Sequence, residues 1–214
     1  MAYASADSDQ HVPRRPRQQR GKIKFEAILD TAKSLMIEGG SIGLRIQEIS
    51  DKSGISIGGI YQYFPSKEAI VRVIADRYFD EVGAMIFAGL EETPRTLQEF
   101  EVMFRTVFME FAQTHLNDRN ALGILLAISS ELDLMERSFA ASFQHSEKVS
   151  EVTSDLFPDW DQAEVTQRIY LAMVMARPLV EAALVAPEGD RAGLLDKGVD
   201  ILIHSFLYSK TGPR

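Results

Sequence analysis

The amino-acid sequence predicts an all-α fold of about nine helices, and three observations support this prediction. Apolar residues recur at three- and four-residue spacing along most of the chain after residue 21. Glycines, prolines and N-capping residues divide this pattern into segments of helical length. No run of alternating β-branched residues indicates a sheet. The chain has 214 residues, 45% of them hydrophobic and 25% charged, which is enough for one or two globular domains with a substantial core.

Three short helices are predicted first, and the residues between them set their limits. Their predicted ranges are residues 22–38, 44–53 and 56–64. A glycine pair at Gly39 is expected to stop the first helix, Gly43 is an acceptable N-cap for the second, and Ser56 caps the third. Pro65 ends the third helix, and Ser66 caps a fourth that extends to about residue 88.

The second and third helices form a helix-turn-helix in this prediction. Gly54 supplies the short turn between them, and two short helices joined by a glycine turn are the definition of the motif. The third helix has the size that fits the major groove of DNA. The core of the motif is expected to consist of Ile49, Ile55, Ile60 and Phe64, which are given no role in binding.

The segment after the turn is the most specific part of the sequence. It gathers aromatic and cationic side chains around the break between two helices, namely Tyr61, Tyr63, Phe64, Pro65, Ser66 and Lys67. This arrangement resembles the DNA-binding signature of the tetracycline-repressor (TetR) family, and the helix count over residues 22–208 resembles that family's architecture. The resemblance implies a helix-turn-helix DNA-binding domain over residues 22–66 and a helical ligand-binding and dimerisation domain over residues 67–214. It also implies a ligand-responsive regulator, most often a repressor that a small molecule releases from a palindromic operator.

Eight residues are predicted to contact DNA: Arg45, Ser56, Gly58, Gly59, Tyr61, Gln62, Tyr63 and Lys67. By resemblance, the two tyrosines and Lys67 contact phosphates. Arg45, at the start of the second helix, is placed to clamp the DNA backbone. Gln62 is chemically suited to the edge of an adenine. Ser56 offers its hydroxyl or amide to a phosphate at the start of the third helix.

Four of these assignments have an ordinary structural alternative. Gly58 and Gly59 each cost about 1 kcal/mol in a helix relative to Ala, so they serve either close approach to DNA or a tight contact with another helix. A half-buried structural position is the alternative for Tyr61. A solvated surface position is the alternative for Lys67.

Two residues depart from the family pattern. Ile57 stands where many members have a polar or basic residue, and Ser50 stands where alanine is common. Together with Gly59, Ile57 leaves few side chains that can read bases directly. The choice of DNA sequence is therefore expected to depend largely on DNA shape and backbone fit.

Charge is distributed unevenly along the chain. The net charge is −8, yet residues 11–70 hold ten Lys/Arg and six Asp/Glu, whereas residues 71–214 hold 13 and 23. A basic front on an acidic body suits a protein that neutralises phosphates locally. Residues 1–21 are polar, rich in Arg and predicted to be a disordered basic arm. This arm either lies along DNA or serves as a solubilising tail.

Five further helices are predicted beyond the fourth. Their approximate ranges are residues 95–116, 119–130, 131–156, 162–185 and 191–208. Thr93 and Pro94 are read as the N-cap and first residue of the fifth helix. Asp161 and Glu164 resemble a capping box that opens the eighth. Pro178 is expected to kink that helix, because it lacks the amide proton for a helical hydrogen bond.

A small-molecule site is predicted beside the fifth helix, whose apolar residues cover more than one stripe. The resemblance places the family's ligand cavity there. The residues assigned to it are Phe104, Phe108, Phe111, Leu125, Phe139, Phe143, Met173 and Arg177. Ligand pockets are mostly apolar with a few placed polar groups, so a small hydrophobic effector is expected. The alternative is a filled core with no cavity.

The last two helices are predicted to pair with a second copy of the chain. They carry more apolar residues than one core-facing stripe needs, namely Ile169, Ala172, Met173, Ala176, Val180, Ala183, Leu184, Leu194, Leu195, Ile201, Leu202, Phe206 and Leu207. Such a homodimer is what the resemblance implies. The alternative is that both faces are internal core.

Other classes of protein are disfavoured. There is no cysteine, which fits a reducing cytoplasm, and no apolar run approaches the roughly 20 residues that span a bilayer. Phosphate-binding glycine loops and the H-E-x-x-H pattern are missing, so neither an enzyme nor a cofactor is predicted. Four scattered histidines lack the spacing of metal ligands. The remaining alternative is a helical scaffold or adaptor protein that does not bind DNA, but such a protein would not need the cluster at Tyr61–Lys67.

Overall fold

The computed structural model describes residues 13, 14 and 16–208, apart from the side chains of residues 37–42, 119 and 206–208. Within these residues there are nine α-helices and no strand, which confirms the all-α prediction. The helices are α1 (Gln19–Gly43), α2 (Ile46–Ser53), α3 (Ile57–Tyr61), α4 (Lys67–Ala88), α5 (Leu97–Asn117), α6 (Arg119–Ser130), α7 (Leu132–Thr153), α8 (Gln162–Val185) and α9 (Glu188–Leu202). A 3₁₀ turn, Ser154–Leu156, follows α7, and a π-helical segment, Ile203–Tyr208, follows α9.

The first helix is longer than the sequence predicts at both ends. It begins at Gln19, so the last three residues of the predicted arm are helical, while residues 1–12 and 15 lie outside the described part of the chain. It also continues through Gly39 to Gly43, and the second helix consequently begins only at Ile46 with Arg45 as its N-cap. A glycine costs a helix only about 1 kcal/mol, which burial of the other α1 side chains offsets.

The start of α5 was also predicted wrongly. Its N-cap is Thr96, whose hydroxyl accepts a hydrogen bond from the Glu99 amide at 3.2 Å. The Glu99 carboxylate in turn accepts one from the Arg95 amide at 2.7 Å. These two bonds satisfy amides at the helix start that have no partner within the helix. The predicted N-cap, Thr93, lies three residues before the observed one. By contrast, the capping of α8 is confirmed, since the Asp161 carboxylate accepts a hydrogen bond from the Glu164 amide at 2.8 Å.

Contacts between Cα atoms divide the chain into two compact units. The first comprises the described residues up to Tyr78 together with Arg119–Leu134, and the second comprises Phe79–Asp118 and the residues from Met135 onward. This division differs from the predicted boundary at residues 66 and 67. The first half of α4 and all of α6 belong with the helix-turn-helix, because α6 packs on α1.

The second unit is built on α5, α8 and α9, which pack against one another. Phe100 of α5 is fully buried, and its ring meets that of Phe157 edge-on at 5.4 Å between centroids. A buried hydrogen bond of 2.6 Å joins the hydroxyls of Ser150 in α7 and Thr166 in α8. The described part of α8 is helical throughout, including Pro178.

Candidate functional site

The turn of the helix-turn-helix has the geometry that its glycine permits. Gly54 adopts a left-handed conformation with φ of 69°, and its amide donates to the Ser50 carbonyl at 3.0 Å, which caps α2. Ser56 then caps α3, since its hydroxyl accepts a hydrogen bond from the Gly59 amide at 3.2 Å. The short helix α3 is thus fixed in direction by local bonds at its start.

Buried side chains hold α3 against the rest of its unit. Ile49, Ile60 and Phe64 are fully buried, in agreement with the sequence-based assignment, and Ile55 is partly buried. The Phe64 ring stacks on that of Phe25 in α1 with 4.6 Å between centroids. Sequence reasoning did not single out Phe25. Its position three residues before Ile28 on the same helix is the signal that identifies it.

α3 presents one continuous exposed face. Its members are Ile57, Gly58, Tyr61 and Gln62, at relative positions of 0, 1, 4 and 5 in a helix. Tyr61 is 51% exposed, so the half-buried alternative for this residue does not hold. Because Gly58 has nothing within 4 Å of an added Cβ, contact with another helix does not explain this glycine.

Gly59 and Tyr63 lie at the edge of this face. A Cβ on Gly59 would meet Ile55 and Ser56 at 3.1 and 3.2 Å, so this glycine is packed against its own turn. Tyr63 is partly buried and meets the Phe25 ring edge-on at 6.2 Å. These two residues therefore contribute to the packing of the motif as well as to its surface.

Two cationic residues flank the exposed face of α3 in sequence. Arg45 is exposed and extended, with φ of −125° and ψ of 136°, immediately before α2. Lys67 is the first residue of α4 and is partly buried. The Ser66 hydroxyl fixes the start of α4 by accepting a hydrogen bond from the Ala69 amide at 3.3 Å.

An ion pair joins α4 to α1 behind the motif. The two terminal guanidinium nitrogens of Arg77, Nη1 and Nη2, donate to the carboxylate of Glu26 at 2.6 and 2.8 Å. These hydrogen bonds lower the pKa of Glu26 below its ordinary value, although burial opposes them. The pair ties the helix that begins at Lys67 to the helix that carries Phe25. Neither Arg77 nor Glu26 was singled out from the sequence, because no motif marks a pair 51 residues apart.

The residues of the predicted small-molecule site belong to both units. Phe104, Phe108 and Phe111 lie on α5, where Phe108 is buried and the other two are partly buried. Leu125 is buried in the first unit and so lies in a different unit from the other seven residues. The sequence could not indicate this, since Leu125 is only eight residues beyond the end of α5.

Two aromatic residues of the predicted site on α7 each contact a residue of α8. The Arg177 guanidinium lies over the Phe139 ring at 5.8 Å, and the rings of Phe143 and Tyr170 meet edge-on at 5.6 Å. Met173, between the two α8 residues, is partly buried. The Arg177 Nη1 atom is buried and has no hydrogen-bond partner among the described residues. Leaving a buried donor of this kind without a hydrogen-bond partner costs free energy.

Two histidines of the second unit are shielded from solvent. His115 is buried, and its Nδ1 donates to the Phe111 carbonyl at 2.6 Å. His145 lies partly buried against the Phe87 ring at 5.6 Å. Burial lowers the pKa of both imidazoles, and in His145 the Lys148 ammonium acts in the same direction while Asp80 opposes it. Among the residues that the structure describes, no group of His, Asp and Glu has the geometry of a metal site.

Six of the thirteen residues predicted for dimerisation are internal. Those buried within the second unit are Ile169, Ala172, Val180, Ala183, Leu195 and Leu202. The prediction was therefore wrong for these positions, because the inner faces of both helices form the core of their own unit. Phe206 and Leu207 lie outside the residues whose side chains are described.

The apolar residues exposed on α8 and α9 form another set, which shares Leu194 and Ile201 with the predicted one. It consists of Leu171, Met175, Ala182 and Val185 on α8 and Leu194 and Ile201 on α9. The four α8 positions follow one another by four, seven and three residues, so they share one side of the helix. We call this set the outer stripe. In the part of the chain that is described, no helix is long and apolar enough to cross a membrane.

Comparison with known proteins agrees with the helix-turn-helix geometry. Residues 28–74 match the family described as bacterial regulatory proteins, tetR family. The chain is 33% identical over 112 residues to the HTH-type transcriptional regulator EthR of Mycobacterium tuberculosis, covering 51% of each protein. It is 38% identical over 77 residues to the uncharacterized regulator YuxN of Bacillus subtilis, covering 35% of this chain and 26% of that protein. The match thus spans about half the length, or less, of these curated relatives.

Solved structures resemble the chain over most of its length. The repressor SmeT of the Stenotrophomonas maltophilia multidrug efflux pump SmeDEF superposes with a TM-score of 0.66 at 16% identity, covering 89% of this chain and 96% of SmeT. A putative TetR-family regulator from Syntrophomonas wolfei gives a TM-score of 0.69 at 15% identity, covering 90% and 99%. At these identities the likeness concerns the fold. The match over residues 28–74 agrees with the resemblance found in the sequence, and the comparisons support a TetR-family regulator.

Proposed function

We propose that the protein is a DNA-binding transcriptional regulator, most consistent with a repressor that a small molecule releases from its operator. The observation that carries this proposal is the exposed face of α3, on which Gly58 admits close approach and Tyr61 and Gln62 are open to solvent. A helix-turn-helix presents its second helix to the major groove in this way. Chromosomal DNA is the partner, so the protein acts in the cytoplasm.

Direct reading of bases is assigned to two residues of this face. Gln62 is exposed and can donate to and accept from an adenine edge. Ile57, an apolar residue that is 38% exposed, is suited to contact with a thymine methyl group. The role of Ile57 adds one base contact to a recognition mode otherwise dominated by DNA shape.

Phosphate binding is assigned to the residues around this face. Tyr61, Tyr63, Lys67 and Arg45 each carry a donor, and the Ser56 hydroxyl lies at the start of α3. Contacts to phosphates position a protein on DNA but carry no sequence information. We therefore assign affinity to these residues and base preference to Gln62 and Ile57.

A homodimer fits this role, since a twofold protein reads a palindromic operator in two half-sites about 34–36 Å apart. The outer stripe supports this assembly. Its large apolar side chains lie on two neighbouring helices that pack on each other, and they are exposed in a single chain. Exposed apolar patches on a soluble protein commonly mark protein contacts.

The effector is proposed to be a small hydrophobic molecule that carries one hydrogen-bond acceptor. The aromatic residues Phe139 and Phe143 favour an apolar body, and the buried Nη1 of Arg177 favours an acceptor such as a carbonyl or carboxylate oxygen. A protein of similar fold, SmeT, has been solved as a complex with triclosan. Release from DNA requires that this molecule bind the DNA-incompetent conformation more tightly than the competent one.

Selection from fragmented genomic DNA with the purified full-length chain tests the proposal. We expect enrichment of a near-palindromic site. Lys67→Ala should weaken binding about equally on all sequences and lower the slope of log affinity against log salt by about 1. Gln62→Ala should instead relax the preference for one base pair in each half-site. If the wild-type chain enriches no motif, the regulator function is refuted.

Thermal stability in a library of hydrophobic compounds tests the effector. A compound that raises the Tm of the wild-type chain should also release it from the enriched operator. Arg177→Met removes the donor but retains much of the apolar stem. It should lose the response to compounds that carry an acceptor, yet bind the operator as the wild type does. An equal response in the variant would contradict the role of Arg177.

A further inference from the structure

The chain preceding α1 is attached to the DNA-facing motif. The Arg14 amide donates a hydrogen bond of 2.8 Å to the carbonyl of Tyr63, the residue that follows Gln62. This bond spans 49 positions of sequence and joins the segment before α1 to the residues that follow α3. The segment is therefore continuous with the surface proposed to bind DNA.

A second contact fixes the same segment. Pro16 lies against Gly21 in the first turns of α1, so closely that an added Cβ on Gly21 would stand 2.7 Å from the Pro16 Cβ. The same added Cβ would stand 3.5 Å from the Tyr63 hydroxyl. Only glycine at position 21 leaves room for this arrangement. Proline also restricts the backbone of the segment, so less conformational entropy is lost when it is held in place.

The fixed segment carries positive charge on its outside. Arg14 and Arg17 are both exposed, whereas Pro13 and Pro16 are partly buried. The prolines thus face the protein and the arginines face solvent. Guanidinium groups are well matched to phosphate oxygens in geometry and charge.

We propose that Arg14 and Arg17 bind phosphates of the DNA backbone beside the major groove entered by α3. This inference rests on the proposed function and extends the DNA surface to a segment outside the family's matching region, residues 28–74. Tyr63 links the two parts, since its carbonyl holds the arginine segment and its side chain packs on α1. The contacts contribute affinity and orientation, and base preference stays with α3.

Salt dependence of operator binding by the full-length chain tests the arginines. In the double variant Arg14→Ala/Arg17→Ala, the slope of log affinity against log salt should fall by about 2, since each phosphate contact contributes about 0.9. At 0.15 M salt this corresponds to a loss of affinity on the order of 30-fold, equal for operator and unrelated DNA. The control is Arg95→Ala, which removes an exposed cation from the second unit and should leave the slope unchanged.

A variant that keeps both charges tests the attachment itself. Gly21→Ala displaces Pro16 and should weaken DNA binding several-fold, while Gly189→Ala, where the added methyl meets nothing within 4 Å, should not. Circular dichroism and Tm of Gly21→Ala establish that the variant is folded.

If the wild type binds its operator but the double variant keeps the same affinity and slope, the inference is overturned. A loss confined to sites with A·T-rich flanks would also overturn it in favour of minor-groove reading. Failure of the wild type to bind any DNA would instead refute the proposed function.

Discussion

At the scale of single residues, two glycines of the helix-turn-helix have opposite requirements. Gly54 is in the left-handed region, where any other L-residue is strained, whereas Gly58 lies in a helix with open space around it. The first glycine is needed for the fold, and the second is proposed to allow close approach to DNA. Substitution by alanine therefore separates the two needs.

Gly54→Ala should lower the free energy of unfolding by about 1–2 kcal/mol, because alanine is strained at positive φ. Gly58→Ala should raise it by up to about 1 kcal/mol, since alanine favours a helix, yet should weaken operator binding because the new methyl group intrudes on the DNA. Urea denaturation and gel shift of the two variants measure these effects. A Gly58→Ala variant with unchanged DNA affinity would contradict the proposed approach.

Residue identities predicted the motif well but not the partners that hold it. Gly54, Ser56 and Ser66 signal turns and caps through local chemistry, and the structure places all three as predicted. The Arg77–Glu26 ion pair depends instead on helix packing between distant segments, which no local signal encodes. The assignment of DNA and effector contacts from sequence stays a prediction.

At the scale of helices, α4 and α7 meet around a histidine. In the second unit, the His145 imidazole occupies the space beside Gly83, where an added Cβ would come within 2.6 Å of its Nε2. At the same contact, the Lys148 ammonium lies over the Phe87 ring, 5.0 Å from the ring centroid. This packing favours the neutral imidazole, so the contact is sensitive to protonation.

The free energy of unfolding should fall as the pH drops from 7.5 to 5. The pKa values of His115 and His145 lie below the ordinary value of 6.5 in the folded protein, so the unfolded chain binds more protons in this range. The stabilisation is complete above pH 6.5 and is lost as the pH falls toward the folded pKa. Urea titrations at several pH values measure this decline.

His145→Gln should flatten the decline of stability with pH, whereas the same substitution at the exposed His204 should not. Both variants remove one imidazole, so the comparison isolates the α4–α7 contact from the general effect of charge. Gly83→Ala should destabilise the protein at all pH values by about 1–3 kcal/mol through overpacking. A parallel decline in wild type and His145→Gln would show that this contact does not sense pH.

The helix boundaries show where local pattern is insufficient. Periodicity located each of the nine described helices, but the limits of α1, α2, α3, α5 and α9 were displaced from their predicted positions. At α5, both Thr93 and Thr96 satisfy the local rule for an N-cap, and the Glu99 side chain selects the second. At α1, a glycine pair that stops many helices is overridden by packing on α2 and α6.

At the scale of the whole molecule, the outer stripe predicts the assembly. The double variant Leu171→Glu/Met175→Glu places charge on two exposed apolar positions and should give a monomer of 24.0 kDa in light scattering, where the wild type gives twice that mass. The variant should also lose most of its operator affinity, because one half-site alone is bound weakly. Val152→Glu, at an exposed apolar position on α7, is the control. A wild-type monomer at micromolar concentration would contradict the homodimer.

The amphipathic pattern alone could not assign the outer stripe. Helices α8 and α9 are apolar on more than one side, and sequence cannot tell an inward side from an outward one. The inner positions, such as Ile169 and Val180, were therefore chosen in place of Leu171 and Met175. Packing against α5 decides which side is internal.

The discontinuous first unit has a consequence for synthesis of the protein on the ribosome. Its first segment, which contains the helix-turn-helix, ends at Tyr78, but α6 is translated only after a further segment that belongs to the other unit. At about 5–20 residues per second, the 56 residues between Tyr78 and Leu134 take about 3–11 s to make. During that interval the side of α1 that receives α6 has no partner in the emerging chain. The residues of α3 are therefore synthesised before the unit that supports them can be completed.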